Sequence, residues 1–190
     1  MLKARRIAAV ACAALVAITP TIGITTSAGA GNNWSGYTSQ VTYTVYKPYE
    51  TLGLARDKLT INQACSVGVP RQVRTLHAVY RGSGGRLIKL YEIDESVDCI
   101  PPGGGAMVQY VPAKTFPVQR GAGTATLWID CQTALQCEFP SNELIKDLGA
   151  WVMVPLRAVS PKFGTHAYVY TKNVSYKQIK KFVRGLDTLP

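Results

Sequence analysis

The strongest constraint on the fold is a period-two alternation of apolar and polar side chains that recurs along most of the chain. It is clearest in residues 73–80 and 86–93. β-branched and aromatic residues spaced this way fit a pleated, half-buried surface. Arg81-Gly82-Ser83-Gly84-Gly85 lies between the two runs. Its glycines supply the positive φ that a tight connection needs, so the pair reads as a β-hairpin. Further strands are expected at 41–46, 59–69, 106–111, 124–131, 151–159 and 165–171. In 124–130, Ala125, Leu127 and Ile129 share one face while Thr126, Trp128 and Asp130 share the other. Trp128 reads as part of a packed second face rather than as a ligand platform. Pro101-Pro102-Gly103-Gly104-Gly105 breaks the pattern and marks a surface loop or a joint between sheets.

Two segments switch to helical spacing. Residues 141–148 follow Pro140, with Ser141 placed to cap and Gly149 suited to the exit. The last helix starts with Ser175, which caps; Gln178 completes a capping box, and Gly185 sits past the final turn. Tyr176, Ile179, Phe182, Val183 and Leu186 share one face of it, and Lys177, Lys180, Lys181 and Arg184 the other. The expected fold class is therefore mainly β: a single-domain antiparallel β-sandwich or barrel with a short internal helix and a C-terminal amphipathic helix.

Residues 1–30 read as a signal peptide. Lys3, Arg5 and Arg6 precede an apolar run, and Ala28-Gly29-Ala30 offers small residues for cleavage. The run is shorter than the roughly 20 residues a membrane span needs. A lipid attachment at Cys12 would leave too short an apolar stretch before it. The expectation is a secreted, extracellular β-rich domain, residues 31–190, with no membrane span after signal removal. Cys65, Cys99, Cys131 and Cys137 then remain, an even count that reads as two disulfides in an oxidising compartment. Three pairings are open, of which Cys65–Cys99 with Cys131–Cys137 joins sequence neighbours. No C-x-x-C pair points to zinc. Neither a metal nor a cofactor is expected.

Charge is uneven. Residues 157–184 contain seven basic residues and no acidic one, whereas 92–98 hold four acidic residues and no basic one. A basic end outside the cell can meet anionic wall polymers, lipid headgroups, nucleic acid or an acidic protein. Glu92, Asp94, Glu95 and Asp98 lack calcium-loop spacing and read as a solvated strand end. His77 and His166 each lie in a strand pattern and read as half-buried. No G-x-S-x-G nucleophile motif occurs, and Gly82-Ser83-Gly84-Gly85 reads as a turn.

Asn33-Trp34-Ser35-Gly36-Tyr37 resembles the start of some secreted glutamic peptidases, β-sandwich enzymes that use a Gln/Glu pair; the match covers these five residues and carries over no catalytic residue. The leading expectation is an extracellular binding module with a basic C-terminal face, its partner an anionic cell-surface polymer or a protein. No specific nucleic-acid binding is expected. A secreted hydrolase, peptidase or glycosidase, with a site assembled from distant residues is the alternative. An inhibitor of a secreted enzyme, presenting the 131–137 loop, is the third. The balance leans against an enzyme.

Overall fold

The computed structural model describes residues 33–63, 74–97, 99–105, 107, 112–118, 123–131 and 139–189. In chain order the elements are α1 (Ser35–Thr38), β1 (Tyr46–Pro48), β2 (Ala55–Gln63), β3 (Arg74–Arg81), β4 (Leu87–Asp94), β5 (Lys114–Pro117), β6 (Thr124–Trp128), α2 (Asn142–Leu148), β7 (Ala150–Leu156), β8 (Thr165–Lys172), α3 (Tyr176–Arg184) and β9 (Leu186–Thr188). Seven strands form one antiparallel sheet in the order β2-β3-β4-β8-β7-β6-β5, and β1 pairs with β9 in a second. The mainly antiparallel β fold matches the expectation from alternation.

The hairpin of β3 and β4 forms as its glycines suggest. Gly84 and Gly85 both adopt positive φ, and a short 3₁₀ turn spans Ser83–Gly85. Alternation then assigns the faces. Leu76, Ala78 and Tyr80 of β3 share a face with Ile88 and Leu90 of β4, Ala167 and Val169 of β8, and Val152 and Val154 of β7. All are buried in one cluster. Helix α3 lies against this aliphatic face. Ser175 Oγ accepts from the Gln178 N–H and Gln178 Oε1 accepts from the Ser175 N–H, the reciprocal capping box. Ile179, Phe182 and Val183 point inward and are fully buried. Each contributes about 1.5–3 kcal/mol of apolar burial. The Phe182 ring meets Tyr80 edge-on at 5.7 Å.

Two expectations are revised. Residues 41–46 are not a regular strand; a lone parallel bridge joins Tyr43 to Phe163, and β1 begins only at Tyr46. Val41, Tyr43 and Val45 still alternate inward, because the segment lies over the aliphatic face. The Tyr43 hydroxyl donates to the Glu92 carbonyl at 2.7 Å and accepts from the Leu76 N–H at 2.9 Å. Of the expected strand 106–111 only Met107 is among the described residues. The acidic run is the second. Glu95 is exposed, but Asp94 is buried and Glu92 is 0% exposed. Strand alternation puts Glu92 on the face of Leu90, so its carboxylate enters the core rather than the solvent. The second half of the expected strand 59–69 and Asp98 lie outside the described residues. Pro155 falls where β6 no longer pairs with β7, so that side of the strand is an edge there.

Candidate functional site

Two regions of the surface concentrate chemistry, one on each side of the large sheet. The first is the outer side of α3. Because Ile179, Phe182 and Val183 lock its inner side into the core, Lys177, Lys180, Lys181 and Arg184 are turned outward. They line a shallow open groove of about 520 Å³ with Gly185. Tyr176 stands at one end. Lys180 Nζ lies 5.1 Å from its ring centroid and Lys114 Nζ, from β5, lies 5.3 Å away. Two ammonium groups against one ring keep cations together that would otherwise spread apart. The Arg184 Nε–H donates to the Pro117 carbonyl at 3.1 Å. Lys181 pairs with Glu50 at 2.9 Å, and that hydrogen bond holds the Glu50 carboxyl below the usual range.

The basic stretch read from sequence does not act as one patch. Lys162 Nζ donates to the Val41 carbonyl at 3.2 Å and to the Thr38 carbonyl. Lys172 Nζ donates to the Asp147 carbonyl at the end of α2. Both cations serve the fold. Lys114 joins the α3 group instead, and nothing in its local sequence signals that.

The second region is the other face of the sheet, which carries rings. His77 stacks on Tyr91 at 4.4 Å, Tyr91 on Trp151 at 5.9 Å, and Trp151 tilts against Tyr170 at 5.2 Å. Cross-strand register makes this row: His77 opposes Tyr91, and Tyr170 opposes both Lys89 and Trp151. At its β7–β8 end a pocket of about 270 Å³ opens, lined by Lys89, Pro102, Gly103, Asp130, Leu148, Gly149, Trp151 and Tyr170. Trp128 is buried at 8% exposure and opposes Trp151. It packs, as expected, while Trp151 and Tyr170 take the place at the pocket.

The two histidines stand in different surroundings, on β3 and β8 with β4 between them. Burial, with Lys58 and Lys89 nearby, pushes the His77 imidazole down to about 4. Among the described residues its Nε2 is buried without a hydrogen-bond partner, as is Thr60 Oγ1 on the strand beside it. His166 lies near Asp94, whose Oδ1 accepts from the Ser96 N–H and hydroxyl and whose Oδ2 accepts from Thr42. Those donors hold Asp94 below its ordinary value against the opposing effect of burial. Its role there is to tie Thr42 and the 94–96 turn together. Glu92 is driven well above the usual carboxyl range by burial, opposed by the Tyr46 N–H that donates to both its oxygens at 3.1 Å.

Cys99 and Cys131 are buried and each is disulfide-bonded. Cys65 and Cys137 lie outside the described residues, as do 132–138 of the candidate inhibitory loop and the leader. Trp34, in the segment that resembles a peptidase start, is buried in the main cluster and fixes that segment to the core. Among the described residues no group of three metal-ligating side chains converges, and no helix is long and apolar enough to cross a membrane. The chain matches no protein-family model, no curated protein and no solved structure.

Proposed function

We propose that the protein is an extracellular binding module that holds an anionic surface polymer along α3. One observation carries this reading: Lys114, Lys177, Lys180, Lys181 and Arg184 gather around Tyr176 and an open groove, on a helix whose inner side is fixed. A row of cations on a fixed helix raises the local concentration of a polyanion. Export by the 1–30 leader and the pairing Cys65–Cys99 with Cys131–Cys137 belong to the same proposal. They supply the compartment and the covalent staples.

The test is retention on immobilised polyphosphate and poly-glutamate across a salt series. Retention is expected to fall steeply between about 0.05 and 0.3 M salt, where the screening length drops below the spacing of exposed charges. The double variant Lys177→Glu, Lys180→Glu should lose on the order of tenfold in affinity, equal to about 1.4 kcal/mol. Glu50→Gln releases Lys181 and should tighten binding. Retention indifferent to both salt and charge reversal overturns the reading.

A further inference from the structure

We infer that the pocket between β4, β7 and β8 is a second binding site, built for one sugar ring. It lies on the ring-bearing face, across the sheet from α3, and stands independently of the polymer reading. Three register neighbours form its floor. Lys89, Tyr170 and Trp151 come from adjacent strands and point to the same side. Lys89 Nζ lies 5.6 Å from the Tyr170 ring centroid. Trp151, 5% exposed, backs the half-buried Tyr170 ring and keeps its plane in place.

The walls come from three turns. Pro102 and Gly103 close one side, Leu148 and Gly149 another, and Asp130 stands just past the end of β6. Gly103 and Gly149 both hold positive φ, 84° and 86°. A Cβ on Gly149 would run into the Thr171 carbonyl and come within 3.3 Å of the Tyr170 hydroxyl. The glycine therefore lets the α2–β7 turn approach the floor closely, and it leaves the Tyr170 hydroxyl room at the rim.

The chemistry of the lining selects the ligand. At about 270 Å³ the pocket sits at the small end of ligand cavities, which run from about 300 Å³ upward. Polar and apolar surface are mixed around it, unlike the mainly apolar lining that suits a lipid or drug-like molecule. It offers one aromatic face, one ammonium that only donates and one carboxylate that only accepts. A pyranose matches that set. Its C–H face covers Tyr170, one hydroxyl accepts from Lys89, and a neighbouring hydroxyl donates to Asp130. Asp130 is exposed and Lys89 half-buried, so both can reach a ligand without first breaking into the core.

The experiment is a titration of the whole protein, followed by ligand-observed NMR and calorimetry. The probes are methyl glucoside, methyl galactoside, methyl mannoside and N-acetylglucosamine, with glycine and γ-aminobutyrate as zwitterionic controls. Saturable binding of at least one sugar is expected, with Kd on the order of 1 mM. Asp130→Asn should weaken it by about tenfold, and Tyr170→Ala should abolish it while Tyr170→Phe keeps it. Asp130 is exposed, so its variant remains informative even if Tyr170→Ala unfolds the sheet. Binding of the zwitterions but no sugar overturns the assignment. So does sugar binding that Asp130→Asn and a folded Tyr170→Ala both leave unchanged. Absence of binding by every probe up to about 50 mM overturns it too, being weaker than any useful site.

Discussion

The two faces of the large sheet are built from different materials. One is aliphatic: Leu76, Ile88, Leu90, Val152, Val154 and Val169 are all sealed at 0% exposure beneath α3 and the 41–46 segment. The other is aromatic: Tyr91, Trp151 and Tyr168 are buried in a smaller cluster, and His77 and Tyr170 beside them are only half-buried. The aliphatic face satisfies its polar groups. Even its buried Glu92 has a donor, and Thr165 Oγ1 donates to the Thr44 carbonyl. The ring face leaves His77 Nε2 and Thr60 Oγ1 without partners among the described residues. Stability concentrates where packing is closed, and adaptable chemistry sits where it is open.

The largest expected effect tests that division directly. Phe182→Ala removes a fully buried ring between α3 and Tyr80, and should cost about 3–5 kcal/mol in denaturant unfolding. Tyr170→Ala, on the open face, should cost no more than about 1–2 kcal/mol, since its ring is only half-buried. Equal losses would break the contrast and make the ring face a second core.

The same contrast sets what the sequence disclosed. The α3 segment was legible to the residue, because its cap, its capping box and its apolar stripe are all local signals. So was α2, capped by Ser141 Oγ accepting from the Leu144 N–H at 3.0 Å. The β3–β4 hairpin was legible through its glycine turn. The pocket was not. Lys89, Asp130, Trp151 and Tyr170 are far apart in the chain, and only strand order brings them together. Glu92 was misread because a run of carboxylates suggested solvent, whereas counting from Leu90 with period two puts it inside. In 41–46 the alternation was real, but its backbone partners came from Phe163 rather than a neighbouring strand: the Thr44 N–H donates to the Phe163 carbonyl at 3.0 Å.

A second prediction opposes the faces through pH. His77 is driven down to about 4, from 6.5 in the unfolded chain. Between those values the unfolded state binds more protons, so stability falls as pH drops from about 6.5 to 4. Glu92 works the other way. Its folded-state proton is held more tightly, so stability falls as pH rises past the ordinary carboxyl range. His77→Phe keeps the stack on Tyr91 and should flatten the acid side of a melting-temperature profile. Glu92→Gln keeps an acceptor for the Tyr46 N–H and should flatten the neutral side, with no loss of stability at pH 7. If Glu92→Gln is strongly destabilising at pH 7, the carboxylate is charged and paired, and the aliphatic face is less closed than its burial indicates.

The smallest effect is the sharpest probe of the open face. Thr60 stands opposite His77 in the β2–β3 ladder, and its hydroxyl is buried without a partner among the described residues. Valine has nearly the same shape, suits a strand and carries no hydroxyl to desolvate. Thr60→Val should therefore stabilise the protein by up to about 1 kcal/mol. For a chain of this size that is a rise of about 2–4 °C in Tm. His77→Phe should leave that gain intact, because each orphan atom carries its own desolvation cost rather than sharing a bond. A loss on Thr60→Val would mean that a water or a ligand group bonds the hydroxyl, and the ring face would then be polar and satisfied at the very place where it is drawn here as open.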